Sequence, residues 1–277
     1  MRKLLSANFS RLWKDKIFWL AMAFMVFGSA LFSWMTYNNS LRGSDEVYYV
    51  EDLMFNLLPM LGFVCAFFIS LYLGTEFDDN TIRNKLVVGH TRIHVFFAEY
   101  VVCMAASVIL IGAMLLASSV TGYVFFREFL LSWPEIAYMI ACAVLLAAVF
   151  SAMFVGIGMN FHSKAASVVV SILFTFAILF LASYCGNALN EQPTTYSYVT
   201  VTMDGVEFGD LIDNPAYIGG FRRTVYELIY DMLPTGQSIQ LNNLEYERID
   251  RWPWLSAIML IIATVAGYLP FRKRDIR

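Results

Sequence analysis

IAYMIACAVLLAAVFSAMFVGIGMNFHS, residues 136–163, runs for 28 positions without an Asp, Glu, Lys or Arg. A hydrocarbon core about 30 Å thick needs roughly 20 helical residues to cross. Lipid offers no partner to a backbone N–H or C=O, so a stretch of this length reads as a spanning helix. Five other uncharged intervals pass the same test: 17–41, 53–75, 100–126, 165–190 and 252–271. The next longest gap, 232–244, has 13 residues and fails it. The helix cores are predicted near 17–36, 54–73, 97–120, 135–158, 165–184 and 253–270. The fold class is therefore an all-α integral membrane protein with six transmembrane helices. Composition agrees, since 59% of the 277 residues are apolar and 15% are charged, against about 25% charged in a soluble chain.

Orientation follows from the basic residues. With the N-terminus placed in the cytoplasm, 13 of the 19 Lys and Arg fall in inside segments and 6 outside, while the acids divide 6 to 16. Both termini are expected to be cytoplasmic in a multi-pass protein of the cell (plasma) membrane. Trp13, Trp19, Trp34, Trp133, Trp252 and Trp254 all fall near predicted span ends, where an amphipathic ring prefers to sit. Gly28-Ser29-Ala30 loosely resembles the cleavage site of a secretory leader. The apolar run continues through Leu31, Phe32 and Trp34, so the first helix reads as uncleaved.

Three segments lie outside the predicted spans. Residues 1–16 read as an amphipathic interfacial helix, with Leu5, Phe9, Leu12 and Trp13 on one face and Lys3, Ser10, Arg11 and Lys14 opposite. The alternative is a basic flank that only fixes topology. Residues 17–277 form the six-helix domain. Its cytoplasmic loop 74–95, GTEFDDNTIRNKLVVGHTRIHV, carries the helix-start run Asp78-Asp79-Asn80-Thr81 and a stop at Gly89. Ile82 and Leu86, at i and i+4 beside Arg83 and Lys85, predict a short helix with an outward apolar patch suited to a soluble partner. Residues 185–251 form a long extracellular loop, too polar to enter lipid, in which a residue such as Ser238 is expected to be reachable from outside. Asp204-Gly205 between β-rich flanks is a hairpin signal. Val225, Leu228, Ile229 and Met232 recur at helical spacing until Pro234-Thr235-Gly236. The loop therefore reads as a small α+β cap, or as a helix laid on the outer leaflet.

Catalytic chemistry is hard to find. No Lys follows a Gly, so there is no Walker A loop, and neither HExxH nor GxSxG occurs. The four cysteines are far apart with no CxxC pair, and His90 and His94 have no third ligand placed with them, so no metal site is assigned. The net charge of −3 offers no global field for nucleic acid. His162 reads as a surface residue of a short turn. Two polar features remain inside the spans. Glu99 adjoins the start of span 3, where an acid is either functional or held by a structural partner such as Arg92. Ser163, Ser167, Ser171 and Thr175 step by four along span 5, a spacing that permits close helix packing or lines a polar pathway. Pro59 is expected to kink span 2 near its outer end.

Six spans, an amphipathic N-terminal helix and a large outer loop between spans 5 and 6 resemble the ABC-2 type permease family. The loop resembles that family's pattern G-x-E-x-x-x-x-T-I-x-x-x-L-x-x-G-x-x-R at Gly74, Glu76, Thr81, Ile82, Leu86, Gly89 and Arg92. The tail GYLPFRKRDIR, 267–277, resembles its usual ending. The resemblance implies the membrane half of an ATP-binding-cassette transporter, paired with a second permease copy, identical or not, and with separate ATPase subunits that carry ATP and Mg. No cofactor is then expected on this chain. The helix near 79–89 would be the coupling helix, with Asp79, Thr81, Ile82, Arg83, Lys85, Leu86, Gly89 and Arg92 as the ATPase contact. The cargo path would lie between permeases along spans 2 and 5, with Ser163, Ser167, Ser171, Thr175 and Glu99 as pathway or packing residues. Most relatives export, and an apolar path rich in Phe and Met would suit a peptide, antibiotic or lipid. A non-transporting sensor or scaffold would explain the acidic cap and leave the loop motif unexplained.

Overall fold

A computed structural model describes residues 2–42, 47–161, 163–197, 199–202, 205–245 and 248–274. Helix α1 (Arg2–Leu12) precedes α2 (Lys16–Ser40). The next span is α3 (Glu51–Met54), a 3-10 turn at Leu58–Met60 and α4 (Leu61–Asp78), followed by α5 (Thr81–Val87), α6 (Arg92–Phe125), α7 (Trp133–Asn160) and α8 (Lys164–Asn190). Strands β1 (Thr194–Tyr196), β2 (Val199–Thr202), β3 (Gly205–Phe208) and β4 (Leu211–Asp213) lead to α9 (Gly220–Met232), α10 (Pro234–Asn242) and α11 (Trp252–Lys273). Among the described residues, six helical stretches are long and apolar enough to cross a membrane, one for each uncharged interval. The chain is an all-α, six-span protein with a small β element between spans 5 and 6.

Local chemistry sets the ends. Asp15 caps α2 by accepting from the Ile17 N–H at 2.7 Å, and Glu135 reaches back to the Ser132 N–H and hydroxyl at the start of α7. Pro59 has no N–H to give, and the second span breaks there into its 3-10 turn. The spans containing α4 and α7 form the centre, with two-thirds of their most apolar stretches buried, while those of α2, α8 and α11 have less than a third buried and present large apolar side chains. Helices α7 and α11 cross at Gly156 and Gly267, where a β-carbon on Gly267 would stand 2.5 Å from the Gly156 Cα. The Asn160 amide joins the two backbones, donating to the Gly156 and Gly267 carbonyls at 2.7 and 2.8 Å. Close approach at small residues is how helices associate without a hydrophobic drive between them.

The β element is two antiparallel pairs, β1 with β4 and β2 with β3. Thr202 pairs with Gly205, so the hairpin connection falls at 203 and 204. Asp204, His162 and the last three residues of the tail motif lie outside the described residues.

The apolar face of α1 is turned onto the bundle: Leu4 and Leu12 are buried, Leu5 and Phe9 pack against the core, and Trp13 is half exposed. One expectation from the sequence is corrected. The segment 185–251 does not lie wholly outside the bundle. Helix α10 packs against α7, α8, α9 and the 3-10 turn of span 2, and the Thr235 hydroxyl donates at 2.9 Å to the Ile178 carbonyl near the middle of α8. Thr235, Gln237, Ser238 and Gln240 are all buried. Polar, uncharged side chains can sit at that depth because they are shielded by protein and hydrogen-bonded, as in Ser256 to Gln237 at 2.8 Å. Ser238 is consequently not reachable from solvent.

Candidate coupling site and its buried charges

The loop between α4 and α6 lies at the end of the bundle that carries both termini. Asn80 and Gly89, at φ +54° and +101°, bracket α5 with two left-handed turns, and Asp79 closes α4. The seven motif positions are occupied in building this corner. A β-carbon on Gly74 would meet Lys164 Cγ at 2.7 Å, so glycine lets the start of α8 cross α4 there. Thr81 Oγ1 donates to the Glu76 carbonyl at 3.0 Å. Ile82 is fully buried and Leu86 packs on the core behind it. Arg92 Nη1 donates to the Phe271 and Arg272 carbonyls at 3.0 and 3.2 Å and to that of Arg274, which puts a cation on the orphan carbonyls ending α11.

Behind α5 lies a cluster of acidic and basic side chains that the sequence did not show. Lys85 Nζ is 2.8 Å from both Glu76 carboxylate oxygens and 2.7 Å from Glu99 Oε1, and it donates to Asn8 Oδ1 at 3.0 Å. Arg11 makes an ion pair with Glu76 and donates to the Tyr72 carbonyl at 2.6 Å. Asn8 Nδ2 donates to Glu99 Oε1 at 2.5 Å. Both carboxylates are buried. Two basic side chains face two carboxyl groups, so opposite charges are set against one another, the condition under which charges tolerate burial. Burial works against the Lys85 ammonium, and Glu99 and Glu76 more than offset it, so its pKa is raised above the ordinary lysine value. Glu99 therefore pairs with Lys85, and Arg92, the partner expected from sequence, is engaged at the end of α11. The folding back of α5 brings Lys85 to Glu99.

What remains on the outer surface of the corner is Asp78, Asp79, Arg83, Asn84, Val87 and Val88, with both valines nearly four-fifths exposed. The apolar patch expected from Ile82 and Leu86 is thus built instead by the next two residues along. Lys85 and Arg92 also point inward, although both were expected at the contact.

The hydroxyl series of span 5 faces α4. Ser171 Oγ accepts from Ser70 at 2.8 Å, Thr175 donates to the Ser171 carbonyl, and Ser167, Ser171 and Thr175 are buried. Ser163 caps α8 through the Ala166 N–H. The surface between α2 and α4 holds an apolar groove of about 360 Å³ lined by Leu20, Phe24, Met60, Phe63 and Phe67, among others, and Phe63 stacks edge-on against Phe176 of α8 at 4.7 Å.

Six apolar spans, with a short helix folded against the end that carries both termini, define a multi-pass membrane protein. The family described as ABC-2 family transporter protein matches residues 4–181, about two-thirds of the chain. The protein belongs to that family, whose members are the membrane half of transporters driven by a separate ATPase subunit. A search of curated proteins found no match.

Proposed function

We propose that the chain exports a hydrophobic or amphipathic cargo, a peptide, antibiotic or lipid, along a path formed between two permease copies, with ATP and Mg bound on partner ATPases. The observation that carries the ATPase contact is the exposed tip of α5. Arg83, Asn84, Val87 and Val88 stand out from a corner whose motif residues, Gly89 apart, are engaged inward. Small apolar area ringed by charge suits a groove on a soluble partner. Thr81, Ile82, Lys85, Leu86 and Arg92 support that tip from behind, while Asp79 and Gly89 stand exposed at its two ends. The apolar cargo face is the groove of α2 and α4 together with the exposed row Leu173, Phe176 and Phe180 on α8, which a second copy or lipid would cover.

The experiment is hydrolysis in defined mixtures. The chain purified alone is expected to show no specific ATP turnover, because none of its six lysines follows a glycine in a phosphate-cradling loop. Adding the partner ATPase should supply turnover. Specific hydrolysis by the partner-free chain, or cargo movement in liposomes on an ion gradient alone, would overturn the reading.

The asymmetry of the basic residues supports a cytoplasmic position for both termini. Thr224, on the exposed side of α9, replaces Ser238 as the probe. Thr224→Cys should react with a membrane-impermeant maleimide in intact cells, where the four native cysteines are buried. Reaction only after permeabilisation would invert the topology.

A further inference from the structure

Helix α5 has seven residues, too few to hold an orientation by its own hydrogen bonds. It is flanked on both sides by a left-handed residue, Asn80 and Gly89, which is the form of a lever with a pivot at each end. Ile82 seats it, but apolar contacts are non-directional and allow sliding. At its first residue Thr81 donates to the Glu76 carbonyl, and the directional contacts that reach beyond α4 are those of Lys85, whose ammonium meets Asn8 of α1, Glu76 of α4 and Glu99 of α6. These partners lie 77, 9 and 14 residues away in sequence. Arg11 closes the ring from α1 onto Glu76. Separating opposite charges in a buried setting is far costlier than shearing an apolar contact, so the ring resists relative movement of the four elements.

We propose that Lys85, Glu76, Glu99, Asn8 and Arg11 are positioning residues that pin α5 to α1, α4 and α6, so that a displacement imposed on α5 by the ATPase is delivered to the start of α6 and α1 as one rigid body. This rests on the reading of α5 as the ATPase contact. Helix α1 becomes a working part of the coupling unit, which agrees with its apolar face being turned onto the bundle and its Asn8 being buried. Glu99, the acid at the start of span 3, receives a task in force transmission.

The test is made on the chain bound to its ATPase in nanodiscs, with labelled chain diluted into unlabelled. Spin labels go on His90→Cys, whose N–H donates to the Lys85 carbonyl of α5, and Val120→Cys far along α6, and in a second sample on His90→Cys and Ser6→Cys of α1. Distances are read by pulsed EPR without nucleotide and after trapping with ATP and vanadate. With the ring intact both distances should stay constant on trapping. The double variant Lys85→Met with Glu99→Gln leaves Glu76 facing Arg11 and strands no charge. In it the ATPase should remain bound, and both distances should shift by about 2 Å or more and broaden on trapping. Lys85→Arg should restore the constant distance, which a loss of folding alone would not explain. If the double variant does not reach the membrane, Glu99→Gln alone gives the same α5–α6 readout. Distances that stay constant in the variants overturn the positioning role. Failure of the unaltered chain to retain any ATPase overturns the coupling reading itself, and this proposal with it.

Discussion

Val87→Asp combined with Val88→Asp is expected to release the ATPase subunit from the purified complex, with affinity falling about thirtyfold or more. Each valine is nearly four-fifths exposed in the single chain, so a partner that covers both gains the transfer of two apolar side chains from water. Full burial of such a side chain is worth about 1.5–3 kcal/mol, and incomplete coverage of two still exceeds about 2 kcal/mol, or some thirtyfold. The change should leave the permease folded, because neither side chain touches its core. Ile82→Asp is the contrasting variant. Ile82 is fully buried, and a carboxylate there has no partner, so the expected result is loss of folded chain. Co-purification by size exclusion, with yield of the folded permease as the control, checks both. Retention of the ATPase by the double Asp variant would remove the tip of α5 from the interface.

Gly267→Leu is expected to lower the thermal midpoint of the detergent-solubilised chain by about 5 °C or more. A side chain at this position meets backbone, the Gly156 Cα, and backbone cannot rotate out of the way. Helices α7 and α11 would have to part, and the Asn160 amide would lose its span between the two carbonyls. Gly112→Ala is the control, since a β-carbon at Gly112 meets nothing within 4 Å and alanine is the better helix former. A fluorescence melt of both variants beside the parent checks the difference. Equal midpoints would show that the crossing is slack.

The spans were legible because lipid imposes one rule on every backbone group, and charge-free intervals report it directly. The corner at α5 was legible in existence and extent. Its direction was not, because i and i+4 spacing at Ile82 and Leu86 identifies a face without saying what that face meets. In a seven-residue helix the face that sequence offers to a partner is as well used to seat the helix. Glu99 and Arg92 are seven apart on one helix, a local pairing sequence suggests readily. The true partner, Lys85, reaches Glu99 only because the chain reverses at Gly89, and no periodicity records that. Pro234 follows α9 and marks its end in the sequence, while its second role as the first residue of α10 has no signal beyond the same proline. An uncharged interval of 13 residues fails any criterion for crossing a bilayer, yet a helix that enters the bundle and returns needs no more.

That last feature bears on the order in which the molecule is made. Helix α10 is polar, short and buried among α7, α8 and the broken second span, so it cannot partition into lipid on its own as each span can. Its place exists only after α7 and α8 have met span 2, and α10 itself is synthesised after all of them. Insertion of the spans and completion of the interior are therefore separate events. Between them, the place that α10 takes beside the Ile178 carbonyl and the turn of span 2 is still unfilled by its own chain. A nascent chain arrested before residue 234 would hold this open intermediate, and quality-control factors that survey membrane proteins for unfinished interiors would meet it there.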